Sequence, residues 1–521
     1  TRVTLFAQSD AKSTKTGGTI MKRKYVFLPL LLLGSVSLSS SPSPRVTHFA
    51  PHYAAPSTEP SGPQTLRIYN WEEYISEEDI DDPDCIDVLA AFQEYYLENY
   101  GEEVTIEYNT FSTNEDMYNI VKLNGAKYDL IAPSDYMIQR MIREDMLEKY
   151  DLDAEGNYKY VPNYNEYASP YLIDLFKEDL GIYEYAPGYM WGTMGFLYNS
   201  EFNDTINDDV QSWMMLWDKK YSKKTSIKDS MREGYLMGLF KYYEDELNDL
   251  AAQREAGLIS DDYYNDEISD LLNDVDPDTI KEVIHVMNEL KNNIYGLEVD
   301  QGKIDMITGK IAANTAWSGD AVYAIEEDPN DVLRYAIPKE GSNIWFDGWI
   351  MPKGANRVVA QRFVNFVSSP EMAIANMYYI GYTSFIAGDE VLEYVLDNDA
   401  VYEAAEAEET VELDFTYFFS DTIENPSDAL ITIDASYVGH TLTATYPTEE
   451  EIVRSVVMRD FGDSNKLVID MWANFKATDI QNWMIIFSVI IVLAVGSAVT
   501  LNQVQKHKAA RRKRNLYKDK Q

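Results

Sequence analysis

The sequence predicts an α/β protein of two lobes joined by a hinge, with a cleft between them, and three observations predict it. The chain has 521 residues, more than one core usually serves, since single cores seldom grow past about 250–300 residues. From Leu66 to Met146 the apolar pattern passes from a strand to a helix period three times, a β-α-β-α-β-α order that argues for a mostly covered sheet. A second α/β region runs from Trp191 to Trp345.

Leu66-Arg67-Ile68-Tyr69 alternates like a strand, Ile86 to Tyr100 has a helical pattern, and Val104-Thr105-Ile106-Glu107-Tyr108 alternates again. Met117 to Leu123 is expected as a helix, Tyr128 to Ala132 as a short apolar strand, and Tyr136 to Met146 as a helix. In the second region helices are expected over Arg232 to Arg254 and Thr279 to Asn292. Further helices are expected over Ala360 to Tyr379, Glu449 to Arg459 and Asn465 to Lys476. Asp389 to Glu412 is acid-rich and weakly patterned, which suggests a surface insertion.

The 44 basic and 87 acidic residues give a formal net charge of −43, and because basic residues gather at both ends, the body between is more acidic still. Such a field repels nucleic acid and favours cationic partners, although an acidic coat is also an ordinary solvated surface. Cys85 is the only cysteine. An internal disulfide framework and a cysteine metal cluster are therefore excluded, and neither a metal nor a cofactor is expected.

Twenty residues precede Met21 and position 1 is Thr, which suits a processed or partial chain with a leader over 1–20. Met21-Lys22-Arg23-Lys24, an apolar run from Tyr25 to Leu38 and a Ser/Pro stretch give 21–41 the order of a secretory signal or short membrane anchor. Residues 42–65, rich in Ser, Pro and Ala, are expected to be a linker. Trp483 to Leu501 has 19 uncharged residues and precedes a basic run. It is expected to be a transmembrane helix over 483–501 with a cytoplasmic tail over 502–521, holding the body outside the cytoplasm at a cell membrane.

Several clusters at predicted strand ends suit a cationic ligand. Asn70-Trp71-Glu72-Glu73-Tyr74 follows the first strand and Pro133-Ser134-Asp135-Tyr136 the third, so parallel neighbours bring them to one edge. Trp71, Tyr74 and Tyr136 offer π faces to an alkylammonium ion, and Ser134 offers an acceptor. Asp229-Ser230-Met231-Arg232-Glu233 opens a helix, where Asp229 and Glu233 stay charged; the same run also fits a capping box with Ser230 as cap. Trp317 ends a short apolar run before Ser318-Gly319-Asp320, and Trp345-Phe346-Asp347-Gly348-Trp349 sets a carboxylate between two indoles. A buried ammonium requires such an anion. Each aromatic alone is equally a packing residue, and Asp347 equally a turn cap.

Tyr69-Asn70-Trp71 with Tyr74, Thr113-Asn114-Glu115-Asp116-Met117-Tyr118, Tyr128-Asp129-Leu130 leading to Pro133-Ser134 and Tyr136, Trp191-Gly192-Thr193, Arg232-Glu233, Trp345-Phe346-Asp347 and Ile380-Gly381-Tyr382 stand in that order. Together they resemble the periplasmic spermidine/putrescine-binding proteins of polyamine ABC importers, within the bacterial extracellular solute-binding proteins. The resemblance covers about 66 to 385, and the helical end near 449–476 is similar. Here the form is expected to be membrane-anchored.

That resemblance implies a type II periplasmic-binding-protein-like fold, with 66–190 and 346–385 in the first lobe and 191–345 and 386–480 in the second. It implies a non-enzymatic protein that captures a polyamine between the lobes and delivers it to an ABC permease with separate ATPase subunits. Family ligand contacts fall on Trp71, Tyr74, Ser134, Tyr136, Glu233, Trp317, Trp345, Asp347 and Tyr382, with Asp229 as a further candidate. Ser230 stands where the family commonly has a second acid. Competing readings are another small solute, a sensing or attachment module, and a glycoside hydrolase pairing Asp229 or Glu233 with Asp347.

Overall fold

The structure is a computed structural model and describes residues 62–477, apart from 80–81 and 125–126. β1 (Gln64–Trp71), α1 (Val88–Tyr100), β2 (Val104–Phe111), α2 (Asn114–Asn124), β3 (Leu130–Ile131) and α3 (Asp135–Arg143) follow in the expected order. The strands make a parallel sheet in the order β2-β1-β3. Alternation in β1 sends Leu66 and Ile68 into one core with Val88, Phe92 and Tyr96 of α1. Asp87 caps α1 by accepting the Ala90 N–H, and Gly101 ends it in the left-handed region at φ 69°. Parallel strands share their C-terminal edge, so the turns after β1 and β3 lie side by side.

The second sheet is mixed and has eight strands. Its main path runs Ser455–Val456, Ser342–Gly348, Gly188–Asn199, Ala313–Trp317, Thr225–Lys228, Gly296–Glu298. The 12-residue strand Gly188–Asn199 joins the lobes. Its Tyr189, Met190 and Trp191 lie in the first core, whereas Met194, Phe196 and Tyr198 lie in a second core around Trp213, Tyr235 and Phe240. Ser342–Gly348 runs antiparallel beside it, with Trp345 opposite Gly192 and Asp347 opposite Met190. These two strands form the crossing between lobes.

Several elements differ from expectation for identifiable reasons. The helix expected over Arg232 to Arg254 is two helices, Met231–Tyr242 and Glu244–Glu255. The break falls at Tyr243, whose hydroxyl donates to Asp274 at 2.5 Å. Ala360 to Tyr379 also divides, into Arg357–Val367 and Pro370–Ile380, because Pro370 lacks an N–H and starts a new helix. The expected helix over Glu449 to Arg459 stops at Val453, and Ser455–Val456 continues as a strand. Asp389 to Glu412 is no detached insertion: Val391, Leu392, Val395 and Ala400 are buried in the first core, as are Phe415, Phe418, Phe419 and Tyr446 beyond it, whereas Val456 to Phe475 join the second. The expected second lobe takes in all of 386–480, whereas the buried side chains of that stretch divide among the first core, the second core and, at Ala444, a third cluster with Leu197 and Tyr335.

The membrane-anchored form, the C-terminal transmembrane helix, the cell-membrane location and the cytoplasmic tail are corrected. Among the described residues no helix is long and apolar enough to cross a membrane. A span needs about 20 apolar residues, and the longest described helix, Pro277–Asn293, has 17 residues and several charges. The leader over 1–20, the segment 21–41, nearly all of the linker over 42–65, the run 483–501 and the tail 502–521 lie outside the described residues.

Candidate functional site

The crossing strand Ser342–Gly348 sets Trp345 and Asp347 at the junction of the lobes, and the sheet edge after β1 and β3 brings Tyr74 and Ser134 to them. Asp347 is 4% exposed. Its Oδ2 accepts the Tyr74 hydroxyl at 2.8 Å, while Oδ1 has no well-formed hydrogen bond. Ser134 pairs with Asp347 as an isolated antiparallel bridge. Tyr74 is itself fixed through its carbonyl, which accepts from Asn70 Nδ2 at 3.0 Å and from the Tyr189 hydroxyl at 2.9 Å. Among the described residues no ion pair neutralises Asp347.

Aromatic faces enclose that carboxylate. Tyr382 packs edge-on to Trp345 with ring centroids 5.2 Å apart, and Tyr74 to Tyr382 at 5.8 Å. Trp345 approaches the neighbouring strand so closely that a Cβ on Gly192 would lie 2.8 Å from its ring. Tyr382 likewise lies over Gly319, where a Cβ would come within 2.4 Å of the ring. Glycine is needed at both positions. The indole N–H groups of Trp345 and of Trp71, at the end of β1, are buried without hydrogen-bond partners.

A second group joins the lobes beside the first. Asp135 at the start of α3 is fully buried and accepts Arg232 Nη1 at 2.8 Å and the Phe346 N–H at 2.9 Å. Arg232, on the first turn of Met231–Tyr242, also reaches Glu233 at 3.2 Å and lies over the Tyr136 ring at 4.8 Å. The Tyr136 hydroxyl donates to Glu115 at 3.0 Å. Ser230 occupies the cap position, but its hydroxyl donates to the Glu233 carboxylate and caps no backbone N–H. The capping box therefore does not form, and Glu233 is 3% exposed beside Arg232.

Two candidates are already engaged by lysines. Asp229 is held by Lys476 at 2.6 Å and does not join the cluster. The face of Trp317 is covered by Lys228, whose Nζ lies 4.6 Å from the ring centroid. Sequence reasoning missed Asp135, Glu115 and Lys228. Asp135 and Glu115 sit inside runs that the sequence marks, yet only the fold reveals that one meets Arg232 and the other Tyr136.

Burial pushes the Asp347 carboxyl up to about 7, against the Ser134 and Tyr74 hydroxyls and Arg232, which favour its charged form, and together with Asp135, which opposes it. Its folded pKa lies above its unfolded value near 3.9. Between those values the folded protein keeps a proton that the unfolded chain has released, so this group's contribution to stability falls as pH rises from about 4 to 7. Asp347→Asn is expected to gain roughly 2 kcal/mol relative to the parent between pH 5 and pH 8 in denaturant titrations. A difference independent of pH contradicts this.

A buried acid beside aromatic rings thus lies on the strands that cross between two α/β lobes. The chain belongs to the bacterial extracellular solute-binding protein family, whose model matches residues 88–407, and it is a binding protein, not an enzyme. It is 27% identical over 350 residues to the spermidine/putrescine-binding periplasmic protein of Escherichia coli K12, covering 64% of this chain and 82% of that one. To the putrescine-binding periplasmic protein PotF of the same organism it is 24% identical over 350 residues, covering 66% and 84%. Among solved structures it is similar to PotD, the substrate-binding protein of a spermidine/putrescine ABC transporter from Streptococcus pneumoniae, with a TM-score of 0.51 and 25% identity over 79% of this chain and 98% of that one.

Proposed function

We propose that this protein is the substrate-binding component of a polyamine ABC importer, capturing spermidine or putrescine between its lobes and delivering it to a permease with separate ATPase subunits. The observation that carries this reading is Asp347, a buried carboxylate with an open oxygen and no ion-pair partner among the described residues, set against Trp345, Tyr382 and Tyr74. An alkylammonium ion supplies the missing charge and hydrogen bond, and its methylenes suit the aromatic walls. Neither a sugar nor a neutral solute balances that charge. The polyamine-binding relatives support the same ligand class.

In this assignment Asp347 is the principal anion, Trp71, Tyr74, Trp345 and Tyr382 form the walls, and Ser134 accepts an N–H. Tyr136 and Glu233 line the opposite side, where Glu233 shares its charge with Arg232. Asp229 is left out because Lys476 engages it. The lobes divide as 66–190 with 346–433 and 191–345 with 453–476, a boundary supported by the buried clusters, with Ala444 packing against second-lobe residues such as Leu197 and Tyr335. Calorimetric titration with putrescine, spermidine, a neutral sugar and an amino acid is the test. One polyamine is expected per chain, with no heat from the other solutes; saturable binding of the sugar alone would overturn the assignment.

A further inference from the structure

Lys228 ends the strand Thr225–Lys228, and its side chain is fully buried. Its Nζ donates to Asp320 Oδ2 and to the Val299 carbonyl, each at 2.6 Å, and lies 3.2 Å from Glu298 Oε1. Above these groups stands the Trp317 ring, at 4.6 Å. The cluster adjoins the cleft directly, because the Tyr382 ring lies over Gly319, the residue before Asp320. Asp320 is also reached by Lys303 at 3.3 Å. Two buried carboxylates, Asp320 and Glu298, thus meet two ammonium groups, with the exposed Asp300 3.7 Å from Lys303 at the rim, so the buried charges at Trp317 are already paired.

An ammonium held by carboxylates against an indole is the arrangement expected of a bound amine, and here the chain itself provides the amine. A ligand ammonium entering beside Trp317 would find its π face covered and a like charge close by in a water-poor site, where such repulsion is strongest. Resting on the polyamine reading of the site, we infer that Lys228 is a specificity-determining residue: it takes the place of a distal ligand ammonium at Trp317, so that the cleft prefers a diamine to a longer triamine.

Titration calorimetry of the whole protein and of Lys228→Gln and Lys228→Met, with putrescine and spermidine at one salt concentration, tests this. Gln keeps a donor for Val299 and Asp320, whereas Met keeps only the stem, so the pair separates loss of charge from loss of hydrogen bonding. The parent is expected to bind putrescine more tightly. Both variants are expected to shift the affinity ratio toward spermidine by about tenfold or more, because one carboxylate charge beside Trp317 is then free. A parent that prefers spermidine, or variants whose ratio stays within about twofold of the parent, would overturn the inference. So would melting curves showing that neither variant folds, which would make the cluster a structural ion pair. A parent that binds neither amine would instead refute the polyamine reading itself.

Discussion

Asp347→Asn is expected to lower polyamine affinity by about 30-fold to several thousandfold, equivalent to about 2–5 kcal/mol for removing the charged partner of an ammonium in a desolvated site. Asn keeps the shape of the side chain, and its carbonyl still accepts the Tyr74 hydroxyl that now lies 2.8 Å from Oδ2. Only the charge is removed. Because burial already opposes ionisation of Asp347, the ligand-free variant is expected to melt no lower than the parent. Weaker binding at undiminished stability separates a ligand anion from a turn cap. The titration belongs at pH 8, where the parent carboxylate is ionised, and at fixed salt, since the acidic body attracts polyamines at long range. A variant binding both amines within twofold of the parent would move the principal anion to Glu233.

Arg232→Met is expected to destabilise the protein by about 3–5 kcal/mol, since it strands a buried carboxylate. Asp135 is fully buried in the first lobe, and Arg232 reaches it from the second. Burial pushes the Asp135 carboxyl up even with Arg232 beside it, so the unpaired group has to take a proton or unfold its surroundings. Arg232 also covers Tyr136 and touches Glu233, and its removal unties the lobes next to the cleft. Denaturant titration checks the value. Adding Asp135→Asn is expected to restore part of the stability, whereas a single variant within about 1 kcal/mol of the parent would mean that water already satisfies the acid.

The first lobe was legible because its signals are local. Alternation in Leu66 to Tyr69 and Val104 to Tyr108, with helical patterns between, gives β1 to α3 in order and puts the turns carrying Trp71, Tyr74 and Ser134 at one edge. The division at Pro370 is equally local, yet the apolar periodicity running through it hides it. Residues 389–446 were not legible: their acids mask the four buried rings that fix them to the first core. The ion pairs of the cleft were hidden for another reason. Asp135 and Arg232 stand 97 residues apart, and Lys228 and Asp320 stand 92 apart, so no periodicity links them. A sequence shows which side chains are able to hold a cation; only the fold shows that Lys228 lies over Trp317 and that Lys476 engages Asp229.

The central claim is that a polyamine sits between the lobes with an ammonium on Asp347, and a crystal structure of the protein grown with putrescine tests it most directly. An extended diamine is expected at the crossing strands, one nitrogen about 2.7–3.2 Å from an Asp347 oxygen, bordered by Trp345 and Tyr382 and stopping short of Trp317. A diamine seated elsewhere, or an empty cleft at saturating putrescine, would contradict it.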